Sequence, residues 1–133
     1  QKDIRSIQLA KAALYAGAKI LVNRFGDEKP KKVYLAGSFG NYIDIRNAYI
    51  LGMFPYCKSE DIVPKGNLAG LGSCIALLNQ RKRREAERYA KKVEYVELSA
   101  TQEFQKEFLD ALSIPHARDN FPELERLLKE ETS

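Results

Sequence analysis

The sequence predicts an α/β fold in which a few strands are flanked by several helices. Three observations predict it: helical periodicity over residues 3–25, short strand segments at 33–36, 61–64 and 93–98, and further helical patterns between and after these segments. Three short strands make a thin sheet for this many helices. We therefore expect residues 1–133 to be one domain or a fragment, with the sheet completed by residues outside this sequence or by a second copy, as in a homodimer.

The first helix has one apolar row and is expected to end at Gly26-Asp27. Lys11 falls on this row, so its ammonium group must either reach water or bind an anion, such as a nucleotide phosphate, or contact a ribose. The sequence leaves both interpretations open. The row follows three- and four-residue steps through Ile4, Ile7, Leu14, Ala18, Leu21 and Phe25.

A buried strand over residues 33–36 leads into the glycine-rich segment Gly37-Ser38-Phe39-Gly40-Asn41, which is predicted to be a turn. In open α/β sheets, ligands bind at the carboxyl ends of strands, and glycine lets the main chain approach a phosphate or a flat base. The segment has neither the Rossmann nor the Walker A pattern. A plain tight turn and a nucleotide contact both fit its spacing.

The middle of the chain carries two helix-start signals. Asp44 is predicted to cap a helix over 45–52, and Asn67 is predicted to start a helix rich in small residues after a short strand at 61–64. Gly66 to Gly70 fits an anion-holding turn or close helix packing. Asp44 also forms, with Glu60 and Asp61, a candidate set of acid–base carboxylates, although capping and loop solubility explain all three.

The last part of the chain is predicted to be a strand followed by two helices. The strand covers residues 93–98, and Ser99 with Gln102 forms a capping-box pattern for a helix over 100–112. Ile114-Pro115 breaks that helix. A final helix is expected over 121–129, with Pro122 in its first turn.

Charge is distributed unevenly along the chain. Residues 1–92 hold 18 basic and 8 acidic side chains, whereas residues 93–133 hold 4 basic and 10 acidic ones. Residues 81–92 carry seven basic and two acidic side chains on a predicted helix. This helix suggests a binding module for nucleic acid or for an acidic protein. Nucleic acid is disfavoured because Glu85 and Glu87 dilute the charge and Tyr89 is the only aromatic residue among them.

Composition excludes several classes of protein. No stretch approaches the ~18 apolar residues of a membrane span, and the chain opens directly on an amphipathic helix, so a cytoplasmic protein without a membrane partner is expected. The two cysteines, Cys57 and Cys74, fit no zinc or redox spacing and cannot hold an iron–sulfur cluster alone. The single histidine, His116, has no nucleophile beside it. We assign no catalytic residue and no metal ligand from these patterns.

Four segments together resemble the ATP-dependent reductive activators of corrinoid proteins, over residues 2–116. The strand–glycine–helix pattern is also similar to the adenosine motif of the acetate and sugar kinase, heat-shock cognate and actin (ASKHA) superfamily. The segments are Lys2-Asp3-Ile4-Arg5 with Gln8-Leu9-Ala10-Lys11-Ala12-Ala13, then Leu35 to Ile45, then Pro64 to Gly72, and Phe104-Gln105-Lys106-Glu107-Phe108.

The resemblance implies the carboxyl-terminal part of a ribonuclease-H-like, actin-like ATPase domain. Members of that family hydrolyse ATP, with Mg²⁺, while an electron passes from an iron–sulfur cluster to a Co(II) corrinoid and restores Co(I) for methyl transfer. The expected partner is a corrinoid protein or a corrinoid methyltransferase. Gly37, Ser38, Phe39 and Gly40 match the segment that meets the adenosine side of the nucleotide.

The resemblance also implies what this sequence lacks. The three-stranded meander, the phosphate-binding turns and the cluster-ligating cysteines lie in other parts of relatives. We therefore expect the chain alone to be inactive, with neither ATP hydrolysis nor electron transfer. Two other interpretations remain open, namely the basic binding module over residues 81–92 and a purely structural role in assembly.

Overall fold

A computed structural model describes residues 1–26 and 29–131, apart from the side chains of residues 39, 130 and 131. The described part is a mixed α/β structure with a small parallel sheet, so the predicted fold class is confirmed. Its elements are α1 (Lys2–Arg24), β1 (Val33–Ala36), α2 (Gly37–Tyr42), α3 (Ile45–Ile50), a short 3-10 helix (Ser59–Asp61), β2 (Ile62–Gly66), α4 (Leu68–Leu78), α5 (Gln80–Ala90), α6 (Gln102–Ala111) and α7 (Leu124–Glu131).

The sheet of the described residues has two strands rather than the three predicted. β1 and β2 run parallel, with Val33 opposite Ile62 and Ala36 opposite Gly66. The predicted strand over 93–98 is wrong, because that segment is irregular and its Val93 and Tyr95 side chains are 77% and 84% exposed. Residues such as valine and tyrosine favour a strand, but a strand forms only where a neighbouring strand supplies its backbone hydrogen bonds.

The long helix α1 confirms the predicted span but buries a different face. It packs on α6 through Lys11, Tyr15 and the alanines beside them, whose small side chains allow a close approach. The predicted apolar row is exposed in the described structure: Ile4, Ile7, Leu14, Leu21 and Phe25. Gly26 follows α1 with φ of 105°, as expected for a helix stop, whereas Asp27 lies outside the described residues. No described helix, α1 included, is both long and apolar enough to cross a membrane.

The helix starts are confirmed at two of three predicted caps. The Asp44 side chain accepts a hydrogen bond from the Asn47 N–H at 2.7 Å, as an N-cap does. The predicted Ser99 cap is wrong, because Thr101 caps α6 by accepting from the Phe104 N–H at 3.2 Å. The final helix also begins later than predicted, at Leu124, which leaves Pro122 in the turn before it.

The core joins α1, α3, β2 and the segment that precedes α7. Tyr49 of α3 and Phe121 meet edge to face with ring centroids 5.9 Å apart. Ile62 of β2 belongs to this core, and Val33 and Leu35 of β1 pack against it, so the core lies against the short sheet. The buried cluster consists of Ala12, Tyr15, Ala48, Tyr49, Met53, Phe54, Ile62, Ala111, Phe121 and Leu127.

Candidate functional site

Two glycines lie side by side at the carboxyl end of the sheet. Gly37 directly follows β1, and Gly66 ends β2. Because the strands are parallel and Ala36 pairs with Gly66, both glycines lie at the same edge. The predicted ligand-binding edge of the sheet therefore brings together Gly37, Gly66 and the start of α4.

Gly37 turns the chain where β1 ends. Its φ is +80°, a conformation that glycine adopts without the cost of a Cβ, and a Cβ added there would meet nothing within 4 Å. Ser38 beside it is exposed. The segment is the first turn of the helix α2 rather than the predicted tight turn between elements. Phe39 has its backbone in α2, and its side chain lies outside the described part of the chain.

Gly40 has a different role from Gly37. It is buried, and a Cβ added to it would lie 2.5 Å from the carbonyl oxygen of Leu35. This separation is far below van der Waals contact, so only glycine lets α2 lie this close to β1. Gly40 therefore has a packing role against Leu35, and its predicted contact with a nucleotide stays a prediction.

The start of α4 is closed by its own side chains. Asn67 accepts a hydrogen bond from the Gly70 N–H at 2.9 Å, as an N-cap does. A Cβ on Gly70 would lie 2.6 Å from the amide nitrogen of Asn67, so glycine is needed for this cap. Gly70 therefore serves helix capping, whereas close helix packing is not found in the described part of the chain, because no residue of α4 is buried there.

Lys11 lies away from this edge. Its Nζ donates to the carbonyl oxygens of Ala111 and Ser113, each at 2.6 Å, and to that of Pro115. Burial lowers the pKa of its ammonium group to about 8. The three carbonyls take the three N–H groups, so none is left for a phosphate or a ribose. The predicted nucleotide contact of Lys11 is corrected to a C-cap of α6.

A polar network beside Lys11 was not predicted from the sequence. Lys19 Nζ lies 2.8 Å from Glu107 Oε1 and 2.5 Å from Asp119 Oδ2, and the Tyr15 hydroxyl donates to Asp119 at 2.6 Å. Burial by itself would raise the pKa of Asp119, but the hydrogen bonds from Lys19 and Tyr15 hold it below its usual range. The available signal was the four-residue spacing of Lys11, Tyr15 and Lys19 along one helix face.

His116 belongs to the same network as a packed residue. Its Nδ1 accepts the backbone N–H groups of Arg118 and Asp119 at 3.1 and 3.0 Å, so its ring proton lies on Nε2, 3.0 Å from Glu107 Oε1. Neither nitrogen then offers a lone pair to a metal ion. The Lys19 ammonium already contacts both carboxylates and offsets one of their two negative charges. The cluster connects helices and does not suit a metal or a general base.

The predicted carboxylate set also has structural roles. Asp44 is committed to the N-terminus of α3. Glu60 lies 3.4 Å from Lys58 Nζ in an exposed pair, and Asp61 ends the short 3-10 helix before β2. We find no shared acid–base geometry among these three described residues.

Comparison with known proteins places the chain in a family. Residues 1–125 match the sequence model of a family described as the C-terminal domain of RACo, the ASKHA domain. The chain belongs to the RACo C-terminal domain family. The resemblance first noted in the glycine-rich and adjoining segments is thereby confirmed.

Two relatives support membership of the RACo C-terminal domain family. The corrinoid activation enzyme RamQ of Eubacterium limosum is 39% identical over 84 residues, which are 62% of this chain and 14% of RamQ. A solved structure of a reductive activator for corrinoid, iron–sulfur protein superposes with a TM-score of 0.76 at 32% identity. That match covers 86% of this chain and 19% of the solved chain. The present chain thus spans less than a fifth of either relative.

The cysteines of this RACo C-terminal domain do not suit an iron–sulfur cluster. Cys57 is half-buried, and burial raises the pKa of its thiol to about 11, whereas Cys74 is exposed on α4. A cluster takes about four thiolate ligands, and this chain has two cysteines. An iron–sulfur cluster therefore cannot be held by the residues of this chain alone.

The basic segment forms the predicted helix, α5. Apart from the half-buried Glu85, residues 80–92 are exposed. The Arg83 side chain donates from Nε and Nη2 to the carbonyls of Ala76 and Leu77 at 2.9 and 3.2 Å, which fixes α5 to the end of α4. The RACo C-terminal domain therefore presents an exposed basic helix in a defined position.

Proposed function

We propose that this chain supplies the adenosine side of the nucleotide cleft in an activator that uses ATP to reduce a Co(II) corrinoid to Co(I). The observation that carries the proposal is Gly37, whose positive φ and open surroundings expose main chain at the carboxyl end of β1. Membership of an ASKHA family supports a nucleotide as the ligand. The activities named for RamQ and for the solved activator support corrinoid activation.

In this proposal, the main chain at Gly37 and Ser38 lies against the purine nucleoside. A side chain at position 37 would occupy the open space that the nucleotide needs. The Ser38 hydroxyl, which is exposed, donates a hydrogen bond to the nucleoside. Gly40 acts one step away, because it allows α2 to pack on β1 and so sets the position of the preceding residues.

The other parts of the reaction belong to polypeptide beyond these 133 residues. One electron passes from a reduced iron–sulfur cluster to Co(II), giving Co(I) and the oxidised cluster, while ATP and water give ADP and phosphate. We assign Mg²⁺, the phosphate-binding turns and the cluster to that remaining polypeptide. The partner is a corrinoid protein or corrinoid methyltransferase, and the compartment is the cytoplasm.

Nucleotide titration of the intact protein that contains this chain tests the proposal. Gly37→Asp places a carboxylate in the open space beside β1, and we expect at least a tenfold loss of ATP and ADP affinity. Gly26→Asp is a matched control, because Gly26 also has a positive φ and a Cβ there would meet nothing within 4 Å. We expect that control to bind nucleotide like the unchanged protein.

The isolated chain provides the second measurement. We expect no ATP turnover from it, because the opposite wall of the cleft lies elsewhere. Equal nucleotide affinity in the Gly37→Asp and Gly26→Asp proteins would refute the adenosine site. ATP turnover by the isolated chain above a Gly37→Asp control would refute the division of the active site between this chain and other polypeptide.

A further inference from the structure

Four cations of α5 share one face of the helix. Arg81, Arg84 and Arg88 follow steps of three and four residues, and Lys91 at the C-cap continues them. At 3.6 residues per turn, the four positions fall within an arc of about 80°, and they extend over ~15 Å of helix axis. We call this face, defined by these four residues, the basic stripe.

The basic stripe is exposed on α5, where Arg81 and Arg88 lie within electrostatic reach of the neighbouring Glu85. All four of its side chains are exposed. The internal contacts use the cations between them: Lys82 pairs with Glu85 at 2.7 Å, and Arg83 binds carbonyls at the end of α4. Lys82 and Arg83 are therefore engaged in contacts within α4 and α5. The four side chains of the basic stripe are exposed and available to another molecule.

The basic stripe is also held in place before any partner arrives. Asn79 caps α5 by accepting from the Lys82 N–H at 3.1 Å, and Arg83 joins α5 to the carbonyls of Ala76 and Leu77. A preorganised surface loses less conformational entropy on binding than a flexible segment does. These contacts therefore favour specific binding of a partner at the basic stripe over nonspecific electrostatic attraction.

We infer that the basic stripe is a docking surface for an acidic protein surface. Opposite charges across an interface speed association and select the partner. Glu85 and Glu87 lie on either side of the stripe, each about 40° beyond its edge by helical geometry. They would repel a continuous phosphate backbone, whereas a folded protein can place its own cations opposite them. This inference goes beyond the nucleotide site and does not depend on it.

Peptide binding to the intact protein tests the inference. The probe is a fluorescein-labelled peptide of about twelve residues, mostly glutamate with lysines interspersed to oppose Glu85 and Glu87, followed by fluorescence anisotropy at about 50 and about 200 mM NaCl. Arg84→Gln with Arg88→Gln removes two stripe cations from an exposed helix face. Lys31→Gln with Lys32→Gln removes the same charge at two other exposed positions.

We expect the stripe variant to bind the peptide at least fivefold more weakly and the control variant within twofold of the unchanged protein. Melting temperatures within about 2 °C would exclude loss of folding. Equal weakening in both variants would overturn the inference, because it would show only a response to net charge. Tenfold tighter binding of a single-stranded DNA of equal charge would also overturn it in favour of nucleic acid.

Discussion

Lys11 of α1 donates a hydrogen bond to the carbonyl oxygen of Ala111 across 2.6 Å and so fixes the end of α6 against the first helix. The same ammonium group also donates hydrogen bonds to the carbonyl oxygens of Ser113 and Pro115. One buried side chain thus satisfies three carbonyls at the end of α6 and in the segment that follows it. A residue that the sequence offered as a nucleotide ligand is thus a structural cap.

Lys11→Met will destabilise the chain without acting on a nucleotide site. Methionine fills a similar volume but leaves the carbonyls of Ala111, Ser113 and Pro115 without their donor, at a cost of about 3 kcal/mol. Urea unfolding followed by circular dichroism measures the change. Lys2→Met, at an exposed position of α1, is the control and should stay within about 0.5 kcal/mol. Unchanged stability together with weaker nucleotide binding would reverse this assignment.

Gly40→Ala will destabilise the packing of α2 on β1. The added methyl group would lie 2.5 Å from the Leu35 carbonyl oxygen, and backbone on both sides must shift to admit it, at a cost of about 2 kcal/mol. Gly72→Ala is the matched control, since it adds a Cβ to α4 with nothing within 4 Å. Helix propensity predicts a gain of up to about 1 kcal/mol there. Thermal melts that rank the two variants in the opposite order would contradict this packing role.

The Asp119 network will make stability depend on acid pH. The pKa of Asp119 is lower in the folded chain, so the unfolded state binds more protons as pH falls below about 4. The stabilisation is therefore complete above the unfolded pKa and is lost as pH drops through the folded pKa. Asp119→Asn should lower stability at pH 7, with a difference that shrinks toward pH 2.

Unfolding free energies measured between pH 2 and pH 7 check this dependence. Asn120→Ser, at the exposed position next to Asp119, changes no titratable group and should keep the pH profile of the unchanged chain. A constant difference between the Asp119→Asn and unchanged chains across the whole range would show that Asp119 contributes no proton linkage.

The two cysteines will react with thiol reagents at different rates. Burial raises the pKa of Cys57 to about 11, so very little of it is thiolate at pH 8, and its labelling should accelerate up to that pKa. Cys74 is exposed on α4 and should react first. Iodoacetamide labelling followed by mass spectrometry separates the two positions. Cys74→Ser should remove the fast phase, and a surviving fast phase would contradict the burial of Cys57.

Short-range signals in the sequence were good guides to this fold. The Asp44 cap contacts a backbone group three residues away, and the Asn67 cap does the same, so local chemistry is sufficient to predict both. Gly37 was identified for the same reason, because the residues around it specify a strand that ends in a glycine turn. The segments that resemble the corrinoid activators are continuous in sequence and were therefore readable without a structure.

Side-chain contacts between residues far apart in sequence could not be predicted from local patterns. Lys11 contacts a carbonyl 100 residues away, and Lys19 contacts Asp119 at the same separation. The predicted apolar row of α1 is exposed, and the position of α6 decided that the neighbouring face with Tyr15 and Ala16 is buried instead. The segment over 93–98 was predicted to be a strand from its own residues, but the described structure places no strand beside it.

The sequence by itself determined the α/β class, the Asp44 and Asn67 caps, the basic helix and the family, because each depends on residues close together along the chain. Only the tertiary structure assigned different roles to Gly37 and Gly40, and only it assigned Lys11 to the end of α6. The physical reason is that a glycine or a lysine acts through what lies next to it in space. For Gly37 that neighbour is open space, for Gly40 it is a carbonyl of β1, and for Lys11 it is three carbonyls near α6.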